Sequence, residues 1–277
     1  MSEALFENGA GRVFDHGAGL IAFDAFGVKM WVATNRAEAL ALLPEVLPPE
    51  WEPCEGWETE HRLAILADDR GTYGVDLGSS FLVEGVSLDV AVETLDSVVR
   101  QRISLAAPDR IFVHAGVAAF GDSAILIPGS SFSGKTTLVA ALVRAGAVYY
   151  SDEFAPLDSD GLVHPYAKPL SLRGADQLQT NHRVESLGGV AAERPVQVGA
   201  VLATNYLPGA EWNPKRLSDG EGALALLSNT VPARERPEQS MQAIRRAVEG
   251  ATVLGGERGE ADELVPKLLA ELEVRTA

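Results

Sequence analysis

Hydrophobic positions fall into two rhythms along this chain. Between residues 12 and 32 they alternate with polar ones (Val13, Leu20, Ile21, Phe23, Val28, Met30, Val32), which predicts two short strands. Residues 35–43 take up a helical spacing: Leu40 and Leu43 share a face, and Asn35 followed by Glu38 predicts a capping-box-like start. Pro44, Pro48, Pro49 and Pro53 then predict a stiff surface loop. Strands are expected at 62–67 and 74–77. The clearest helix runs over 87–104, where Leu88, Val92, Leu95, Val99 and Ile103 form one apolar stripe. Pro108 closes that region, and a boundary near residue 105 separates a smaller N-terminal α/β region, 1–105, from a second domain, 106–277.

The second half is punctuated more sharply. A strand at 111–114 and a short turn lead to a strand at 123–128, a Gly/Ser loop, a helix over 136–145 stopped by Gly146, and at once a strand at 147–151. Tyr149 and Tyr150 there should point to opposite faces. Strand-like pieces bracket a turn at 158–161, and another strand is expected at 196–204. Helices are predicted at 223–227, at 237–249 with Met241, Ile244 and Val248, and from Glu263 onward with Leu264, Leu268, Leu269 and Leu272. Pro266 fits that last helix if it lies in or near the first turn. This order predicts an α/β class with some α+β character.

Composition narrows the functional classes. The chain of 277 residues is 46% hydrophobic and 22% charged, which is ordinary globular usage. The most apolar stretch, 124–150, is interrupted by Gly, Ser, Lys135 and Arg144, so no membrane span is expected. The start, MSEALFENGAGR, lacks the basic and apolar regions of a signal peptide, and Cys54 is the single cysteine; both fit a cytoplasmic location. A formal net charge of −16 repels nucleic acid and anionic lipid, so neither is an expected partner.

Against that negative field one segment stands out. AILIPGSSFSGKTTLVAAL holds the pattern G-x-x-x-x-G-K-[ST] at Gly129, Gly134, Lys135 and Thr136, with an apolar strand before it and an apolar helix after it. Glycines allow the tight curl, main-chain N–H groups line its inside, and the helix start adds positive potential. The nucleotide-binding set is therefore Gly129, Ser130, Ser131, Ser133, Gly134, Lys135, Thr136 and Thr137. Lys135 supplies a mobile charge to the outer phosphates, and the Thr136 hydroxyl can join the shell of a nucleotide-borne Mg²⁺. The strand following the P-loop helix ends in Asp152-Glu153 and is expected to lie beside the P-loop strand, with both carboxylates at the phosphate edge. One acid could then take a proton from an attacking hydroxyl while the other helps hold the metal.

The run VHAGVAAFGDSAILIPGSSFSGKTTLVAALVRAGAVYYSDE resembles the kinase core of HPr kinase/phosphorylase and its short relatives, over about 111–173. That resemblance implies a P-loop kinase core of the HPr kinase/phosphoenolpyruvate carboxykinase type. It makes Asp152 the general base, Glu153 the second acid and metal ligand, and His114 the histidine near the catalytic acid. Arg173, in HPYAKPLSLRG, becomes a phosphate-binding arginine beside Gly174. The chain departs from the family in three places. ADQLQT replaces a glycine-rich signature, Ser171 stands where a glutamate is expected, and the acids are Asp-Glu rather than Asp-Asp. Recognition of HPr and the reverse phosphorolysis therefore do not follow from the resemblance. The expected activity is ATP/Mg²⁺-dependent transfer of the γ-phosphoryl group to a hydroxyl, in first place a serine of a peptide or protein. GTP is equally compatible with a loop that reads phosphates. The alternatives are a small-metabolite kinase and a nucleotide-binding regulatory module without transfer. A homo-oligomer is open, because the family's enzymes assemble.

Overall fold

The computed structural model describes residues 6–7, 13–14, 18–55, 59–130, 133–173 and 179–274, and the chain divides into two units, Met1–Pro108 and Asp109–Ala277. It is a mixed α/β protein. No helix among the described residues is long and apolar enough to cross a membrane.

In the first unit a two-residue ladder, β1 (Phe6–Glu7) with β2 (Val13–Phe14), precedes a six-stranded sheet. The alternating residues fold as β3 (Gly19–Ala25) and β4 (Val28–Thr34), a hairpin whose Phe26 and Gly27 both have positive φ (54° and 77°), as a type I′ turn requires. There follow α1 (Ala37–Leu42), a 3₁₀ turn (Leu43–Val46), β5 (Glu52–Pro53), β6 (His61–Ala67), β7 (Tyr73–Asp76), β8 (Phe81–Val86) and α2 (Leu88–Ala106). The strand order is β5-β3-β4-β6-β7-β8, with β4 and β6 parallel. Ser87 caps α2, its Oγ accepting from the Val90 N–H at 3.4 Å, and the helix buries Ala91, Leu95, Val99 and Ile103. The expected capping role of Asn35 is not realised. Arg36 is the N-cap residue, and the Asn35 amide instead pairs with the Ala67 backbone in both directions, at 2.9 and 2.8 Å. Two bonds to a strand end outcompete one local cap.

The second unit is built on a seven-stranded sheet. Its strands begin with β9 (Ile111–Phe120) and β10 (Ser123–Pro128), joined by a two-residue turn with Gly121 at φ 59°. After α3 (Lys135–Arg144) come β11 (Val148–Ser151) and β12 (Phe154–Leu157), then a separate hairpin of β13 (Leu170–Arg173) and β14 (Gln179–His182). A 3₁₀ turn (Val184–Leu187) leads to β15 (Gln197–Tyr206) and β16 (Lys215–Arg216). These are followed by α4 (Asp219–Leu227), α5 (Pro237–Val248), β17 (Thr252–Arg258) and α6 (Ala261–Glu271). The sheet order is β11-β9-β10-β15-β17-β16, with β12 also on β9; β10, β15 and β17 run parallel.

Both faces of this sheet are covered. One packs Ala118, Ile125, Ile127, Leu202 and Leu254 against α3 and α6. The other packs Val113, Val117, Leu126, Val201 and Val253 against Leu226 of α4 and Ile244, Ala247 and Val248 of α5. Two-sided burial is why these strands read as unbroken apolar runs. Tyr149 joins the α3 side and Tyr150 the α5 side, as the pleat demands. Pro266 lies inside α6, which starts at Ala261, so the expected first-turn position is not met.

Candidate functional site

The order β11-β9-β10 corrects one expectation: the strand after the P-loop helix does not lie beside the P-loop strand. The tight turn at Gly121 folds β9 onto that edge of β10, leaving β9's far edge for β11 and β12. The acid pair falls between these two pieces. Ser151 pairs with Val117 and Phe154 with His114, so Asp152 and Glu153 stand opposite Gly116 and Ala115. Across β9, those same residues pair with Ile127 and Pro128, immediately before the loop. The doublet thus stands two strand spacings, about 10 Å, from the start of the P-loop. Buried Ser151 fixes the break, its Oγ accepting from the N–H groups of Glu153 (3.0 Å) and Phe154 (2.9 Å), while Ala115 N–H donates to the Glu153 carbonyl (3.0 Å).

Gly116 makes the gap passable. A Cβ there would lie 2.7 Å from Val139 Cγ2 and 3.5 Å from Lys135 Cβ, so its absence lets α3 settle directly over β9. The first turn of α3 then lies between loop and acids.

The loop is held from several sides. Gly129 N–H donates to the His114 carbonyl (3.2 Å), and a Cβ on Gly129 would meet Ser133 Oγ at 2.7 Å. Gly134 is the N-cap of α3 at φ 79°, left-handed backbone that favours glycine. Lys135 is buried, and its Nζ donates to the Gly129 and Ser130 carbonyls, both at 2.7 Å. Burial lowers its pKa, and the charges of Asp152 and Glu153 pull it back up. Ser130 and Thr137 are exposed, Ser133 and Thr136 partly buried; Ser131 lies outside the described residues.

Asp152 is the hub of this arrangement. Burial pushes its carboxyl above the usual range, against hydrogen bonding from the Thr136 and Tyr149 hydroxyls and the Ser171 backbone; the neighbouring Glu153 charge adds to the rise. The Tyr149 hydroxyl lies 2.9 Å from Asp152 Oδ1 and 2.8 Å from the Lys168 carbonyl. Burial and the Asp152 charge hold that phenol far above its ordinary pKa, so it stays a neutral donor. The arrangement therefore brings together Lys135, Thr136, Asp152 and, by charge, Glu153.

His114 is the fourth residue of the ten-residue β9 rather than near the end of a short strand. Its N–H donates to the Asn229 carbonyl (2.7 Å), and its ring packs on Phe154, centroids 5.5 Å apart. Arg173 ends β13 opposite Gln179, two residues beyond Ser171; its side chain and Gly174 lie outside the described residues.

Two residues at the site escape a sequence reading. Tyr149 looks like any apolar strand residue. Arg258, at the end of β17, donates from Nη2 to the Ser133 carbonyl at 2.9 Å, although 125 positions separate them. No local signal marks either. No family model matches the chain, and no curated protein matches it significantly.

Proposed function

We propose that this chain is a P-loop phosphotransferase that moves the γ-phosphoryl group of a nucleoside triphosphate, ATP in the first instance, onto a hydroxyl, with a serine of a peptide or protein as the preferred acceptor. The observation that carries this reading is the meeting of the Lys135 ammonium and the Thr136 hydroxyl, from the loop, with one half-buried carboxylate, Asp152, from the other side of β9. The resemblance to HPr kinase/phosphorylase over about 111–173 points the same way.

The residues suit the ligands that such chemistry needs. The loop closes tightly on itself, since a Cβ at Gly129 or Gly134 would fall within 3 Å of Ser133 Oγ or Arg258 Nη2, so both positions call for glycine. Thr136 with Asp152 and Glu153 is an all-oxygen donor set of the kind that Mg²⁺ prefers. Magnesium held there by Thr136 and Glu153 would screen phosphate charge during transfer.

The protein's own groups divide the remaining work. Asp152 takes the proton of the acceptor hydroxyl as its oxygen bonds to the γ-phosphorus and the bond to the β,γ-bridging oxygen breaks, releasing the diphosphate. The Tyr149 hydroxyl takes one acceptor position of Asp152 at 2.9 Å, and a carboxylate has about four, which leaves room for the incoming hydroxyl. Its raised pKa makes it a stronger base than an exposed aspartate. Lys135 sits on the loop to balance charge that builds on the transferred group, with Arg173 in the same role by resemblance.

Labelled ATP presented with peptides and metabolites encoded near the gene tests the proposal. Wild type should transfer label to a hydroxyl. Asp152→Asn should bind nucleotide equally well and transfer about 10²–10⁴-fold more slowly. Transfer by Asp152→Asn at near wild-type rate would remove Asp152 as the base. Nucleotide binding without transfer to any acceptor would favour a regulatory module.

A further inference from the structure

Arg258 is 2% exposed and is the largest fully buried side chain among the described residues. No carboxylate among the described residues lies within ion-pair distance of it. Its contacts are the Ser133 carbonyl, at 2.9 Å from Nη2, and the Tyr206 ring, whose centroid is 5.6 Å from Cζ; its buried Nε has no hydrogen-bond partner. Arginine keeps its charge at any physiological pH, and a buried charge without a counter-ion is costly. The Glu260 carboxylate, two residues on, acts on it only from beyond ion-pair distance, its Oε1 accepting instead from the Tyr206 hydroxyl at 2.6 Å.

Its position explains the cost. Arg258 ends β17, two strands beyond β10, and reaches back to the α3 N-terminus, where a Cβ on Gly134 would lie 2.9 Å from Nη2. The peptide joining Ser133 to Gly134 is planar and trans, so its C=O and N–H point in opposite directions. A carbonyl pinned on Arg258 therefore holds the Gly134 N–H pointing away from the guanidinium. Ser133 Oγ is also buried without a partner. The loop's partnerless hydroxyl and a buried cation with no paired carboxylate would both be served by the same thing, an anion.

We infer that Arg258 is a phosphate-positioning residue: it fixes the Ser133–Gly134 peptide so that the loop presents its amide, and its charge is balanced by the polyphosphate of the bound nucleotide. This inference rests on the nucleotide reading above and adds to it a residue 125 positions away. A polyphosphate chain is therefore the part of the ligand that Arg258 senses, and the base is not.

Calorimetric titration of the full chain with Mg·ATP and with inorganic tripolyphosphate, at two salt concentrations, tests this. Arg258→Met should weaken both ligands by the same factor, about tenfold to a hundredfold, and flatten the salt dependence. Arg258→Lys should fall between the two, keeping the charge and losing the planar fork. A purely structural arginine would lower Tm and leave affinity and salt slope within about twofold in folded protein, overturning the inference. If Arg258→Met does not fold, the wild-type ¹⁵Nε–H resonance of Arg258, located through its contact with Tyr206, decides. A downfield shift with tripolyphosphate supports the inference, and an unmoved signal contradicts it. Wild type that binds neither ligand would instead defeat the nucleotide reading itself.

Discussion

The two units treat buried charge differently. Among the described residues, three side chains of Asp, Glu, Lys or Arg are buried: Asp76 (1% exposed) in the first unit, Lys135 (5%) and Arg258 (2%) in the second. Asp76 is spent locally, its Oδ1 accepting from the N–H of Gly78 two residues on (2.7 Å), which shapes the turn into β8. Lys135 bonds back to its own loop, at Gly129 and Ser130, and Arg258 arrives from 125 positions away to bond the same loop at Ser133. One oxygen of Asp76 thus shapes its own turn, while its buried Oδ2 has no hydrogen-bond partner. Two buried cations gathered on the carbonyls of one loop fit the polyphosphate site proposed above.

Glycines give the sharpest way to separate the units. Gly116 lets α3 rest on β9, and Gly74 lets β7 pair closely beside β8, where a Cβ would meet Phe81 at 2.9 Å and the Val83 carbonyl at 3.0 Å. Each glycine-to-alanine change should destabilise the protein by about 1–3 kcal/mol through overpacking, measured by chemical denaturation. Gly116→Ala should also weaken ATP binding, since it moves the helix bearing Lys135 and Thr136. Gly74→Ala should leave binding unchanged. Equal effects on binding would erase the distinction between the units.

A smaller effect tests the strain at Asp152. Burial raises its pKa in the folded chain above the ordinary value. The native state therefore holds this proton more tightly than the unfolded chain does, and the associated stability is fully present below the unfolded pKa. It is lost as pH rises through the raised folded pKa. Asp152→Asn should remove that dependence, so the nucleotide-free variant should melt higher than wild type at neutral pH while lacking transfer. A variant that melts lower at neutral pH would mean that the carboxylate stabilises the fold.

How much of this is readable in sequence follows from where each signal resides. The glycine-lysine pattern at 129–136 is contiguous, so eight residues suffice to mark the loop before α3, and Asp152-Glu153 is legible because it follows the next strand. The full length of β9 is not: AGVAAF after His114 is small and uniform, and only pairing with β10, β11 and β12 makes it a strand. β17 is hidden for a similar reason. Its Gly255-Gly256 reads as a breaker, yet Gly255 is needed because a Cβ would lie 2.5 Å from Leu217 Cδ1. With β17 unseen, Arg258 is unseen. Asn35 fails as a cap because its partner, Ala67, is 32 residues away.

The central claim is that 129–136 is a working polyphosphate site whose cation is Lys135. Calorimetric titration of Mg·ATP into the wild-type chain and into Lys135→Ala tests it most directly. The account predicts saturable one-to-one binding by wild type and its loss by at least about tenfold in a folded Lys135→Ala variant. Undiminished binding by Lys135→Ala, or none by folded wild type, would contradict it.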